Sequence, residues 1–197
     1  LYTTREPVLI QPLLKEFSQK TGVKVNTVFI KDGLLERVKA EGRRSPADVM
    51  LTVDFGNLVD LVESGLTQRV DSKVLNSSIP GNLRAANGHW YALSMRARAV
   101  YVSKERTPIT AISYEDLASP KWKDKICIRS GSHPYNTGLI AAYIAHHGEK
   151  EAEKWLRGVK SNLARPASGG DRDVARDILG KICDIGVANT YYVGTMR

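Results

Sequence analysis

The chain is poor in the residues that most metal and redox sites are built from. It holds two cysteines and four histidines in 197 residues, and only His146 and His147 are adjacent. A zinc site needs grouped ligands and a disulfide framework needs many cysteines, so neither is expected. Cys127 and Cys183 are either one disulfide, which would imply an oxidising compartment, or two small buried hydrophobes. No apolar run approaches the roughly 18 residues of a membrane-crossing helix, so no membrane-spanning segment is expected. No run of five basic residues occurs either, although the formal net charge is +8. The densest basic groups are Lys121, Lys123 and Lys125, and Arg172 and Arg176. An anionic partner fits that charge. A nucleic-acid-binding domain would gather it on one helix or face, so nucleic acid is not the expected partner. No nucleophile, base and acid stand in a sensible pattern, so an enzyme is not expected. Repeats and low-complexity segments are absent as well.

What is present is an alternation of strands and helices. Residues 1–5 read as a strand, and Glu6-Pro7 opens a helix whose Leu9, Ile10, Leu13, Leu14 and Phe17 recur at helical spacing. Thr21-Gly22 stops it, and residues 23–30 form the next strand, making a βα unit that feeds a parallel sheet. A short helix follows from Leu34, then a buried strand at 49–53 and a helix at 58–64. Residues 71–88 read as loop, 89–93 and 97–102 as strands. Beyond Thr107, Ser113 and Asp116 form a capping box. A strand at 125–129 precedes a polar loop, helices at 137–147 and 149–160, a flexible loop and a helix at 172–179. The apolar run 185–188 is a last buried strand, ended by Asn189-Thr190 and followed by Tyr191-Tyr192. Two α/β lobes are therefore expected, 1–93 and 99–197, joined by a hinge crossover at 94–98. The chain opens already strand-like, as a processed N-terminus would. It stops directly after the tyrosines with no closing element, so a C-terminal part is expected to be absent.

The tyrosine pair is the chemical focus. Neighbouring residues in extended chain point opposite ways, so a pair meant only for the core would sit two apart. Residues just past a strand's carboxyl end lie where α/β folds build sites. Cys127 precedes Tyr135 by eight residues, and Cys183 precedes Tyr191 by the same eight. If the two strands are parallel neighbours, a Cys127–Cys183 bridge would fix their register and bring Tyr135 towards Tyr191 and Tyr192, in a cleft between lobes. A free phenol titrates at about 10, so three would not ionise together near neutrality without strong positive charge. A hard trivalent cation supplies it, and iron(III) accepts phenolate oxygen. Three phenolates offset a 3+ ion, and an octahedral shell still needs oxygens. A bidentate anion held by arginine is an economical source. Arg5, past the first strand, and Arg96 and Arg98, at the crossover, are candidate holders, although strand alternation turns Arg98 outward.

Across essentially its whole length the chain resembles the periplasmic ferric-ion-binding proteins of bacterial iron ABC importers. The resemblance rests on Tyr2-Thr3-Thr4-Arg5-Glu6, on Thr21-Gly22-Val23-Lys24-Val25, and on Arg44-Ser45-Pro46-Ala47-Asp48-Val49. Trp90-Tyr91-Ala92-Leu93-Ser94, Arg96-Ala97-Arg98, residues 128–139 and Trp155-Leu156-Arg157-Gly158-Val159-Lys160 extend it, and Asn189-Thr190-Tyr191-Tyr192 is its most specific part. The resemblance implies a type II periplasmic-binding-protein fold whose two lobes close on the ion. It implies metal ligation by Tyr135, Tyr191 and Tyr192, with Arg5, Arg98, Asn189 and Asp171 at a synergistic anion such as carbonate or bicarbonate. Glu6 and Val53 stand where other members carry a His and a Glu ligand, which favours the three-tyrosine, anion-assisted mode. It further implies a missing last third, a periplasmic location, an ABC permease as partner, a monomer, and a disulfide between Cys127 and Cys183.

Other readings keep the fold but change the ligand, to another small anion or an organic cation. An organic cation would want acidic and aromatic walls, whereas the candidate residues are basic and phenolic. Adjacent His146 and His147 face different ways on a helix and read as surface, and His133 reads as a neighbour of Tyr135 or as solvent-facing.

Overall fold

The structure is a computed structural model that describes residues 1–195, with side chains described as far as Tyr192; Met196 and Arg197 lie outside the described residues. The chain divides into two compact units, Leu1–Leu93 and Ser94–Arg197.

In the first unit, strand β1 (Tyr2–Thr3) leads into helix α1 (Pro7–Thr21), and Gly22 ends that helix in the left-handed region at φ 73°. Strand β2 (Val28–Phe29), helix α2 (Leu34–Glu41), strand β3 (Met50–Leu51), helix α3 (Gly56–Glu63) and helix α4 (Lys73–Ser78) follow. The sheet order is β2-β1-β3, and both pairings are parallel, with Tyr2 opposite Val28 and Met50. Tyr2, Ile30, Leu34, Val38 and Leu61 make its core. The strands are much shorter than the sequence pattern predicts. Helix α4 falls where only loop is expected, because the Ser72 hydroxyl caps it by accepting from the Leu75 N–H. Residues 89–93 form no strand; Tyr91 makes a single bridge to Arg84. The helical spacing in α1 is as expected, but of its apolar side chains only Ile10 is buried; Leu9, Leu13 and Phe17 are exposed.

In the second unit, strand β4 (Arg98–Val102) precedes strand β5 (Ile126–Cys127), helix α5 (Pro134–His147), helix α6 (Glu149–Ser161), helix α7 (Asp171–Leu179) and strand β6 (Ile185–Asn189). The order is β4-β6-β5, with β4 antiparallel and β5 parallel to β6. Every residue of β6 is buried. Its lack of polar alternation has a direct cause, since both of its faces are covered. Ile185 and Val187 pack with Leu117, Trp122, Trp155 and Val159. Gly186 points the other way, where a Cβ would meet Val174 and Ile178 of α7 and the Cys127 carbonyl. That close approach of helix to strand is what requires glycine there. The Ser113–Asp116 box forms with both reciprocal bonds, at 2.9 and 3.2 Å, although it opens a short 3₁₀ turn.

Candidate functional site

Cys127 and Cys183 are joined by a disulfide, and both are buried. Strands β5 and β6 are parallel neighbours, as the offset argument supposes. The register differs from the one it implies: Cys127 lies opposite Gly186, because Cys183 sits ahead of the ladder rather than in it. The bridge therefore ties β5 to the lead-in of β6.

Tyr135 lies in the first turn of α5, not in a loop, because His133 caps that helix by accepting the Tyr135 N–H at 3.1 Å. Tyr191 and Tyr192 lie in a 3₁₀ turn that continues β6. The three phenols are brought together. The Tyr191 and Tyr192 hydroxyls share a hydrogen bond at 3.4 Å, and Tyr135 is close enough to help lower the Tyr191 pKa. Tyr191 keeps 42% of its surface exposed, so an incoming ion can reach it.

Guanidinium groups gather around the phenols. Arg96 donates to the Tyr135 hydroxyl at 2.6 Å, with its guanidinium carbon 4.7 Å from the ring centroid. Arg129 and Arg98 lie 4.8 and 5.9 Å from the same centroid, and Arg172 lies 5.8 Å from that of Tyr192. Burial opposes ionisation of Tyr191. Hydrogen bonds with Tyr192, Asn189 and Tyr135, helped by the charge of Arg96, outweigh it and bring the phenol below the ordinary tyrosine value. Burial, then the Tyr191 hydrogen bond and the negative charges of Tyr191, Asp171 and Tyr135, push Tyr192 well above that value. Of the pair, Tyr191 is therefore the more acidic, and like charge opposes loss of the second proton.

Beneath the phenols is a buried polar cluster centred on Asp171, the first residue of α7. Its carboxylate accepts from Arg98 Nη1 at 2.8 Å, from Arg129 Nη1 at 3.2 Å and from the Asn189 N–H at 2.9 Å. Arg98 points inward rather than outward. Besides Asp171, it donates to Asn189 Oδ1, Asn136 Oδ1 and the Val187 carbonyl, and these acceptors set its direction. The contact with Asn189 Oδ1 also turns the Asn189 Nδ2 donor towards Tyr191, at 3.4 Å. A donor aimed at a phenol oxygen favours its charged form.

Tyr135, Tyr191, Tyr192, Arg98, Asn189 and Asp171 therefore meet within one unit. Arg5 belongs to the first unit, where its N–H donates to Thr3 Oγ1 at 2.9 Å. Glu6 is exposed at the start of α1, and the Val53 N–H donates to Thr4 Oγ1. His147 stacks on Tyr143 and pairs with Glu115 at 3.2 Å, remote from the phenols in its contacts. Sequence reasoning missed Arg129 and Asn136, which are 8% and 6% exposed. A charge closing an apolar strand was the one available signal for Arg129. Among the described residues no group of three His, Cys, Asp or Glu is placed to hold a metal ion, so the phenols are the notable oxygen donors.

A family model for bacterial extracellular solute-binding proteins matches residues 44–196. A solved Bordetella ferric binding protein is 67% identical, with a TM-score of 0.90 over 99% of this chain and 62% of its own. The apo ferric ion-binding protein A of Pasteurella haemolytica is 47% identical, with a TM-score of 0.93 over 99% of this chain and 62% of its own. Iron uptake protein A1 of Synechocystis sp. is 39% identical across 100% of this chain, which spans 55% of that protein. The fold is the type II periplasmic-binding-protein fold. The chain belongs to the bacterial extracellular solute-binding protein family.

Proposed function

We propose that this chain carries the ferric-ion site of a solute-binding protein, with Tyr135, Tyr191 and Tyr192 as ligands. The observation that carries the reading is the gathering of three phenols, two of them hydrogen-bonded to each other, among Arg96, Arg98 and Arg129. Iron(III) is a hard acceptor of phenolate oxygen, and its binding displaces the phenol protons. Tyr191, the more acidic of the pair, gives up its proton first, and Tyr192 follows only when the ion's charge offsets the repulsion. Such a sequence discriminates against divalent ions, which offset less negative charge. The proteins similar to this chain include ones named for ferric iron binding and iron uptake, which supports the same cargo.

Carbonate or bicarbonate completes the shell in this reading, with Arg98, Asn189 and Asp171 of the second unit as its protein setting. Within that set Arg98, Asn189 and Asp171 brace one another, and buried Arg98 Nε has no partner among the described residues. The loaded protein, a periplasmic monomer with no enzymatic step, hands iron to an ABC permease. Among the described residues no helix is long and apolar enough to cross a membrane.

Iron(III) titration with and without bicarbonate, followed by absorption, tests the proposal. A visible tyrosinate-to-iron charge-transfer band is expected, lost in the Tyr191→Phe/Tyr192→Phe double variant. No band from the unaltered chain, or a band that survives the double substitution, refutes it.

A further inference from the structure

We propose that Arg129 is the positioning residue for the third phenol, fixing Tyr135 in place as a buried cation against its ring. This rests on the ferric reading above.

Arg129 follows β5 by two residues and is 8% exposed. A charged side chain is rarely so buried unless it is paired. Its pairing here is incomplete. Asp171 is its carboxylate partner at 3.2 Å, yet the same carboxylate also serves Arg98 at 2.8 Å. Two guanidiniums share one carboxylate, so the cluster keeps a surplus positive charge away from water, where it is costly unless compensated. Arg129 Nε also has no partner among the described residues.

The group facing that surplus is Tyr135. The guanidinium carbon of Arg129 lies 4.8 Å from the ring centroid, within the range of a cation–π contact. The main chain of Arg129 acts on the same turn. Its carbonyl accepts from Asn136 Nδ2 at 3.1 Å, one residue along from Tyr135. Arg129 thus grips the first turn of α5 through the ring and through the adjoining residue.

Such a grip is needed because the ligands come from different elements. Tyr135 is carried by α5, whereas Tyr191 and Tyr192 follow β6. Asp171 closes the link, since it also accepts from the Asn189 N–H, and Asn189 donates to Tyr191. The path Tyr135, Arg129, Asp171, Asn189, Tyr191 sets the separation of the phenols before any ion arrives.

The test is a double-mutant cycle on the full chain. Arg129→Gln removes the charge and keeps a donor for Asp171; Arg129→Lys keeps the charge. Each is made alone and with Tyr135→Phe, and iron(III) affinity is measured by competition with citrate alongside the absorption band. Arg129→Gln is expected to weaken iron binding about tenfold and to shift the band towards that of Tyr135→Phe, a loss typical of a desolvated cation–π contact. Arg129→Lys restores much of the affinity. In the Tyr135→Phe background, Arg129→Gln changes affinity less than about twofold, because coupled residues are not additive. Equal weakening in both backgrounds with an unmoved band makes Arg129 a general support and overturns the inference. So does an Arg129→Gln protein that binds as the unaltered chain does. If Arg129→Gln fails to fold by circular dichroism, the cycle is read from Arg129→Lys, whose smaller loss must also vanish without the Tyr135 hydroxyl. An unaltered chain that takes up no iron overturns the ferric reading itself, a distinct outcome.

Discussion

Removing the Asp171 carboxylate isolates the energetics of the cluster under the phenols. Its side chain is 0% exposed, and those of Arg98 and Arg129 are 10% and 9% exposed. In Asp171→Ala, water cannot replace the lost acceptor without opening the junction of α7, β5 and β6. Two guanidiniums and the Asn189 N–H are left facing each other. Breaking a buried ion pair from one side costs about 3–5 kcal/mol, mostly as uncompensated charge. With a urea dependence of about 2 kcal/mol per molar, the unfolding midpoint of the second unit should fall by about 2 M. Urea titration by circular dichroism measures it, and Asp171→Asn should lose less, since it keeps an acceptor. The control is Glu153→Ala, which breaks the exposed pair with Arg157 (64% and 78% exposed) and should cost less than about 1 kcal/mol. If Asp171→Ala behaves like the control, with an unchanged slope, the cluster is not a buried electrostatic unit and the reasoning fails.

Three further outcomes are expected. Gly186→Ala should destabilise the second unit by about 1–3 kcal/mol, because the added carbon meets Val174, Ile178 and the Cys127 carbonyl with no room to shift; thermal unfolding reads this. Replacing Cys127 and Cys183 together by Ala removes a bridge spanning 56 residues, and chemical unfolding should show a loss of about 2–5 kcal/mol. Hydrogen bonds from Ser45, Arg37 and Tyr2 hold Glu41 below the ordinary glutamate value. The stabilising contribution is therefore present above the ordinary glutamate range and is lost as pH falls through the depressed value. Glu41→Gln should flatten the acid limb of a stability-against-pH curve, and an unaltered limb counts against the assignment.

The sequence pattern made the α/β alternation legible, together with the ends of α1 at Gly22 and the buried last strand. Those features depend on local chemistry: a left-handed glycine, a proline in the first turn, an unbroken apolar run. Strand length was not legible, since β2 and β3 pair over two residues each while their apolar patterns run further. A pattern records which residues can be buried, whereas a ladder needs a neighbour of matching length. The tyrosines were legible through their place past strand ends. Arg98 was read as outward because alternation ignores what lies behind a strand, and buried Asp171 together with Asn136 draws it in. Arg129 left only the signal of a charge closing an apolar strand, for the same reason: its partners are 7 to 42 residues away in sequence.

The first residues of the second unit are also part of the phenol cluster. Immediately after the first unit ends at Leu93, Arg96 reaches Tyr135, the Ala97 carbonyl accepts the Thr190 N–H at 2.9 Å, and Arg98 faces Asn189 across the β4–β6 ladder. Three successive residues at the start of the second unit thus touch Tyr135 and the two residues that precede Tyr191. A substitution that shifts the backbone at 96–98 is therefore expected to move Tyr135 and the turn that carries Tyr191 and Tyr192 together.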